Sequence, residues 1–438
     1  MTDASRSAAH SFIADSADAP ALAATAPDAL ERLILHDAFG DAADSADGDA
    51  APASSGDASA GDVLVLGDDT GALTLGTLQH AAAARVIVRC GAVDAAQRVR
   101  AAADQAGAEV AGRVVVVGLD TDLPGGAELV PASVGPRITT ALGRLPKSLA
   151  ELDLLARGTA AIAADGARLV LGGNQKHMAR SMNDVLAGAF ENVRGGFGKG
   201  KHRCLIATGP IAGAAAHEAQ RQEVLGVGML TGFGGVFSGA KPDRGGSALA
   251  DQAIRWLTAR SERAAGAENG GGADGAAPAR VLDLGCGNGL VSLRLLHAAA
   301  TKHGPGAAQR GDEVSDGGAA ALDVTATDHQ IDAVRSAEST LARYRDRARV
   351  TWDDAASQVE DASMDLVLLN PPFHEGARID MTLVQGLLDA AQRVLVDSGE
   401  LLFVHNSHLR YRPALEARFA SVNELHRDRM FTVLRAVK

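Results

Sequence analysis

The chain has few of the residues that staple, anchor or export a protein. Three cysteines in 438 residues, Cys90, Cys204 and Cys286, are far apart and odd in number. That excludes a disulfide framework and a cysteine metal cluster, and predicts reduced core thiols. No apolar run approaches the ~18 residues of a membrane span. The opening MTDASRSAAHSFIADS has no apolar core behind basic residues, so no export signal is legible and a cytoplasmic location is expected. Aromatics make up only 3%, against 46% apolar residues rich in alanine. Such a chain can still bury sizeable cores, and its length calls for two or three domains.

Excess positive charge is also missing, since the net charge is −12. This does not exclude a nucleic-acid partner, because the acid is concentrated at one end. Residues 1–62 hold 12 Asp/Glu and 2 Arg/Lys, so the other 376 residues are near neutral and can carry a local basic face. The stretch 1–61 is a low-complexity leader, expected to be largely disordered apart from one amphipathic helix near 28–36 packed on the body. Deletion of residues 1–60 is expected to spare activity.

Beyond the leader, strand-like and helix-like segments alternate, the signature of parallel βαβ units. RVLDLGCGNG at 280–289 opens the clearer copy, with strands expected at 280–284, 321–326, 349–352, 365–369, 400–405 and near 430–437. Helices are expected at 290–299, 330–344 and 381–395. Two Gly-rich stretches, 264–278 and 303–319, read as surface insertions. The unit occurs twice: VLVLGDDTG at 63–71 matches VLDLGCGNG at 281–289, and LAGAFENV at 186–193 matches LEARFASV at 415–422. The expected architecture is two tandem α/β Rossmann-like domains, 62–213 and 231–438, joined by a helical linker over 214–230. Val65 and Asp69 of the first copy stand where the second has Asp283 and Gly287, and its counterpart of the Asn-Pro-Pro turn, GRLPKSL at 143–149, lacks the Asn and the Phe. The first domain therefore reads as a degenerate partner.

Asp283-Leu-Gly-Cys-Gly-Asn-Gly follows a strand and opens a helix, the setting of a cofactor loop. Gly285, Gly287 and Gly289 permit positive φ and close backbone approach. The preceding Asp283 suits a cationic ligand better than a pyrophosphate, which points to the sulfonium and amino group of S-adenosylmethionine. Asp328 ends the next strand, placed for ribose hydroxyls, while Asp323 reads as an exposed strand residue. Asp354, or Asp353, is placed for an adenine amino group or for a helix N-cap. In LVLLNPPFHEG, 367–377, the prolines stop both helix and ladder and hold an amide and a ring at a strand's carboxyl end. An exocyclic base amine is a poor nucleophile because its lone pair is delocalised. Two acceptors, the Asn370 side-chain oxygen and the Pro371 carbonyl, can each take one of its N–H groups and favour a pyramidal nitrogen. Phe373 can stack on the flipped base.

Together these motifs resemble the class I S-adenosylmethionine-dependent methyltransferases of amino nitrogens. With GGVFSGAKPDRGG at 234–246, HNSHLRYRPALEARF at 405–419 and LPKSLAELDLL at 145–155, the chain is similar to the bacterial ribosomal-RNA guanine-N2 methyltransferases of the RsmC/RlmG group. KSL, NQKHM, KGKHR and the NSHLRY tail lean to its large-subunit members. The resemblance covers about 62–438 and implies that only the second domain is catalytic. It also implies that Asn370, Pro371 and Phe373 act on the guanine, and that Phe237 and Asp243 border the cofactor. Ribosomal RNA or a pre-ribosomal particle is the expected partner and a monomer the expected state. Lys176, Lys199, Lys201 and Arg203 of the first domain are candidate phosphate contacts and His374 a candidate base contact. ARYRDRAR at 342–349 reads as a solvated face. Rival readings are another amino acceptor, such as adenine N6 or a protein glutamine, and a non-catalytic rRNA-binding assembly factor.

Overall fold

The computed structural model describes residues 26–40, 61–81, 85–267, 277–301, 322–371 and 381–438. The insertion 303–319, most of the leader, and Phe373 and His374 lie outside them. Segments such as Ala279–Leu284, buried at all but one position, can only be sheet interior covered on both faces. Seven strands build the first sheet: β1 (Asp62–Leu66), β2 (Val86–Arg89), β3 (Val114–Val116), β4 (Ile138–Arg144), β5 (Ala163–Asn174), β6 (Phe190–Gly195) and β7 (His202–Pro210). A hairpin follows, β8 (Gln220–Val224) and β9 (Gly228–Gly232). The second sheet holds β10 (Ala279–Leu284), β11 (Leu322–Asp328), β12 (Ala348–Trp352), β13 (Met364–Leu369), β14 (Leu395–Asn406), β15 (Ser421–Arg427) and β16 (Phe431–Val437).

The strand orders are β3-β2-β1-β4-β5-β7-β6 and β12-β11-β10-β13-β14-β16-β15. They are the same order, with β7 and β16 the antiparallel members. The repeat read from two short matches therefore extends over the whole topology. In each sheet the chain reverses direction between the first strand and the fourth, at β1/β4 and β10/β13. At such a switch point the carboxyl ends of the strands open a crevice for a ligand.

Two boundaries differ from expectation. The helix Ala29–Phe39 carries a capping box, Asp28 with Glu31, and buries Leu33, Ile34 and Leu35 against the first sheet and its first helix. It plays the part that Arg244–Ala267 plays in the second unit, so the first unit starts within the leader, and deletion of 1–60 would remove Leu30, Leu33, Ile34, Leu35 and Ala38 from its core. The 214–230 linker is not helical. Its AHEAQRQEVL composition favours helix, yet 220–224 pairs with 228–232 across a turn at Gly226, φ +70°. The hairpin is held by tertiary bonds: Thr231 N donates to Thr340 Oγ1 and Phe233 N to Ser336 Oγ on the helix Ile331–Leu341. Packing outweighs local propensity here.

The two units meet through an approximate two-fold relation. Leu66 pairs with Arg89 and its counterpart Leu284 with Thr327, which makes Gly91, Ala92 and Val93 the counterparts of His329, Gln330 and Ile331. Those very residues touch. Val93 N donates to His329 O at 3.0 Å, Ile331 N donates to Gly91 O at 2.8 Å, and Ala92 bridges Gln330. Beside this pair Arg89 and Asp332 form a buried ion pair at 2.7 Å.

Candidate active site

The carboxyl end of β10 runs into a loop with Gly285, Gly287 and Gly289 at φ +77°, +54° and +80°. A Cβ on Gly285 or Gly287 would meet no atom within 4 Å, so both leave backbone open to a ligand. On Gly289 it would press on Ala337 at 3.3 Å, so this glycine serves helix packing. A cavity of about 880 Å³ opens over the loop. Its lining brings together Asp243, Asp283, Asp328, Asp354, Asn370 and Pro371, with Phe237 at 53% exposure.

Asp283 is buried at 3% exposure and accepts the Ser292 hydroxyl at 2.6 Å. Burial raises its pKa to about 6, the Ser292 bonds opposing the rise. An acid so placed is stabilised in its ionised form by a cation entering the cavity. Asp328 accepts from Gly287 N at 3.0 Å and from Gln330 N at 2.9 Å. It therefore ties the end of the second strand to the glycine loop. Of the two acids after β12, Asp353 is taken up by structure, accepting Ser357 Oγ and Gln358 N. Asp354 is exposed on the cavity. Asp323 lies exposed in β11, away from the lining.

Asn370 is the first residue past β13, and its Nδ2 donates to Asp243 Oδ2 at 3.0 Å. The same Asp243 oxygen accepts Gly246 N at 2.7 Å at the start of the helix Arg244–Ala267. A carboxylate only accepts, so the amide must offer it the NH₂ group, which leaves Oδ1 as the free acceptor. This link joins residues 127 apart in sequence, and no motif displays it.

The first unit shows the same positions in another state. By strand register, Val65 replaces Asp283, Cys90 replaces Asp328 and Arg144 replaces Asn370. Arg144 reaches the capping box of Ala29–Phe39, with Asp28 at 3.1 Å and Glu31 at 2.8 Å, and stands 3.9 Å from Asp69. Asp68 folds inward to accept the Thr74 hydroxyl at 2.7 Å, and Thr74 is the counterpart of Ser292. The crevice of the first unit is thus closed by its own ion pairs. That unit still borders the cavity of the second, through Gly91, Ala92, Asp94, Ala95 and Arg98. These lining residues escape sequence reasoning, because nothing local marks them.

Lys199 and Lys201 lie on the β6–β7 connection with Arg203 beside them at the start of β7, and Lys176 lies next to it on the turn after β5. The stretch 342–349 lies at the amino end of β12, the end opposite the cavity.

Residues 314–435 match the Methyltransferase small domain family, and residues 40–210 match the RLMG N-terminal domain family. The chain is 30% identical over 301 residues to the Ribosomal RNA large subunit methyltransferase G of Ectopseudomonas mendocina, covering 67% of this chain and 70% of that protein. It is 29% identical to the protein of the same name from Alcanivorax borkumensis, covering 86% and 84%. A solved Thermus thermophilus structure, a 16S rRNA N2 methyltransferase (RsmC) in complex with AdoMet and guanosine, superposes with TM-score 0.61 at 19% identity over 94% of this chain and 92% of that one. That last likeness speaks for the fold. By the relative at 30% identity and the two family matches, the chain belongs to the RsmC/RlmG family of bacterial ribosomal-RNA methyltransferases.

Proposed function

We propose that this protein transfers a methyl group from S-adenosylmethionine to the exocyclic N2 of a guanine in ribosomal RNA, with the large-subunit 23S RNA favoured. The observation that carries the reading is Asn370, set at the end of β13 and turned by Asp243 so that an acceptor is offered beside an acid-lined cavity. The cavity suits the cofactor: a buried carboxylate for its cationic end, Asp328 and Asp354 for hydroxyl and amino donors, and open backbone at Gly285 and Gly287. When bound, S-adenosylmethionine supplies an electrophilic methyl group on a sulfonium sulfur.

The chain's own residues supply positioning. Asn370 Oδ1 and the Pro371 carbonyl each accept one N–H of the guanine amine, drawing its nitrogen toward tetrahedral geometry and aiming the lone pair at the methyl group. Phe373 is assigned the stacking role on the flipped base and His374 a base contact, and both lie outside the described residues. No strong base is required, because the amine loses its proton after the carbon–nitrogen bond has formed. Catalysis is then chiefly orientation and fixed dipoles.

The catalytic unit is assigned to 231–438, and 62–213 with the helix Ala29–Phe39 to RNA positioning. A monomer in the cytoplasm belongs to the same reading. Among the described residues no helix is long and apolar enough to cross a membrane. The test is methyl transfer from labelled cofactor to unmodified 23S and 16S rRNA, followed by nucleoside digestion. N2-methylguanosine from 23S RNA supports the reading, and N6-methyladenosine or no labelled nucleoside refutes it.

A further inference from the structure

Over much of the described surface, arginines are neutralised. Arg85, Arg98, Arg100, Arg157, Arg393 and Arg418 each lie 2.6 to 2.8 Å from an acid. A cluster on the first unit departs from this. Lys176, Arg180, Arg194, Lys199, Lys201 and Arg203 are all exposed, and none is within ion-pair distance of a carboxylate among the described residues. One acid packed under the tip, Asp37, lies beneath Gly196 with its side chain largely buried. Amid these cations Phe197 stands 82% exposed.

The chain holds this tip rigid. Lys199 N donates to His202 O at 2.9 Å and His202 N to Lys199 O at 3.1 Å, a closed two-residue turn with Gly200 at φ +61°. Gln175 clamps it from the end of β5, its N donating to Lys201 O and its Nε2 to His202 O. In the second unit the corresponding connection is the short turn 428–430, capped by Asp428 accepting Met430 N and Phe431 N. The longer basic tip thus belongs to the unit whose own crevice is closed. It projects from the carboxyl end of the first sheet, the end that meets the second unit at Gly91. It stands four strands from β2, roughly 20 Å at about 4.8 Å per strand.

An apolar ring ordered in water without covering anything gains nothing for the fold. A protein partner would want an apolar centre with few charges, whereas here one ring sits alone among cations. Unpaired nucleic acid offers what the tip can use, a π-face for the ring and phosphates for the cations. We infer that the tip 196–201 is a second RNA anchor, at which Phe197 stacks on an unpaired rRNA base while Lys176, Lys199, Lys201 and Arg203 hold the flanking phosphates. The inference rests on the reading that this chain acts on rRNA, and it adds a contact remote from the target guanine.

The test compares the full chain with Phe197→Ala, Phe197→Tyr and Lys199→Ala/Lys201→Ala, using an unmodified 23S rRNA transcript in filter binding from 50 to 300 mM salt. Phe197→Ala should weaken binding about 5- to 150-fold, and Phe197→Tyr should restore it. The lysine pair should flatten the slope of log K against log salt by about 1.4. Affinity for S-adenosylmethionine should not change in any variant. Unaltered RNA affinity in Phe197→Ala overturns the anchor while leaving rRNA methylation standing. A defect confined to assembled 50S particles, absent on the naked transcript, also overturns it and points to a ribosomal protein. A wild-type chain that binds the transcript no better than tRNA overturns both readings.

Discussion

Removing Asp243 separates two roles that its position in the cavity allows, holding the cofactor and orienting Asn370. Asp243→Ala deletes the 3.0 Å bond from Asn370 Nδ2 and the 2.7 Å bond from Gly246 N. The second loss is that of a helix N-cap and should lower stability by ~0.5–2 kcal/mol. The first is a charge-assisted bond, worth ~1.5–3 kcal/mol. That energy biases the amide by a factor of roughly 10 to 150 toward offering its oxygen to the guanine amine. Without it the NH₂ group faces the amine for much of the time, and two donors do not bond. Single-turnover methyl transfer at saturating cofactor should therefore slow by about 10-fold or more. Asn370→Ala, which removes the acceptor itself, should cost ~10²–10³. The double variant should be no slower than Asn370→Ala alone, because an orienting group has nothing left to orient. Asp243→Asn, which still accepts but carries no charge, should fall between wild type and Asp243→Ala. Cofactor affinity, measured by calorimetry on the same preparations, should barely move. Losses that multiply in the double variant, or a tenfold weaker cofactor affinity at unchanged rate, would refute the orienting role.

The pKa of Asp283, raised to about 6 by burial, makes it ionised above and neutral below that pH. Since a cation favours the ionised form, affinity for S-adenosylmethionine should be flat above pH 7. It should fall by up to about tenfold per unit below pH 6, and Asp283→Asn should bind weakly without that dependence; an unchanging wild-type affinity down to pH 5 counts against the assignment. Calorimetry should find one cofactor site per chain. Arg144→Asn should open no second site but should loosen the helix Ala29–Phe39, seen as a lower melting temperature; two equivalent sites would contradict the closed crevice. Deleting residues 1–25 should spare folding and methylation, whereas deleting 1–40 should destabilise the first unit, because it removes the buried Ile34. Arg89→Ala leaves Asp332 buried without its cation and should cost ~3–5 kcal/mol in denaturant unfolding. A loss below 1 kcal/mol would mean that this pair does not hold the units together.

The repeat, the order of strands and helices, the glycine loop after β10 and the Asn-Pro-Pro turn are all legible in the sequence. They rest on local chemistry: alternating buried runs, glycines at positive φ, prolines that stop a strand, and an acid at a strand's end. Asp283, Asp328 and Asn370 were identifiable because each is the last residue of a strand or its immediate neighbour, and that position is periodic in a parallel sheet. Even the closed first crevice left a trace, in Val65 and Asp69. Its plug did not, because Arg144 acts on Asp28 and Glu31, more than a hundred residues earlier in the chain. The hairpin 220–232 departs from its local sequence for a related reason: its helix-favouring residues are overruled by hydrogen bonds to Ser336 and Thr340. Tertiary structure alone decided that Asp243 turns the Asn370 amide and that Gly91, Ala92 and Arg98 of the first unit border the second unit's cavity. It also decided that equivalent residues of the two copies meet at Ala92 and Gln330. Each of these is a meeting of residues brought together by how the two sheets pack, and packing is set by the whole of both surfaces, which no short stretch of sequence encodes.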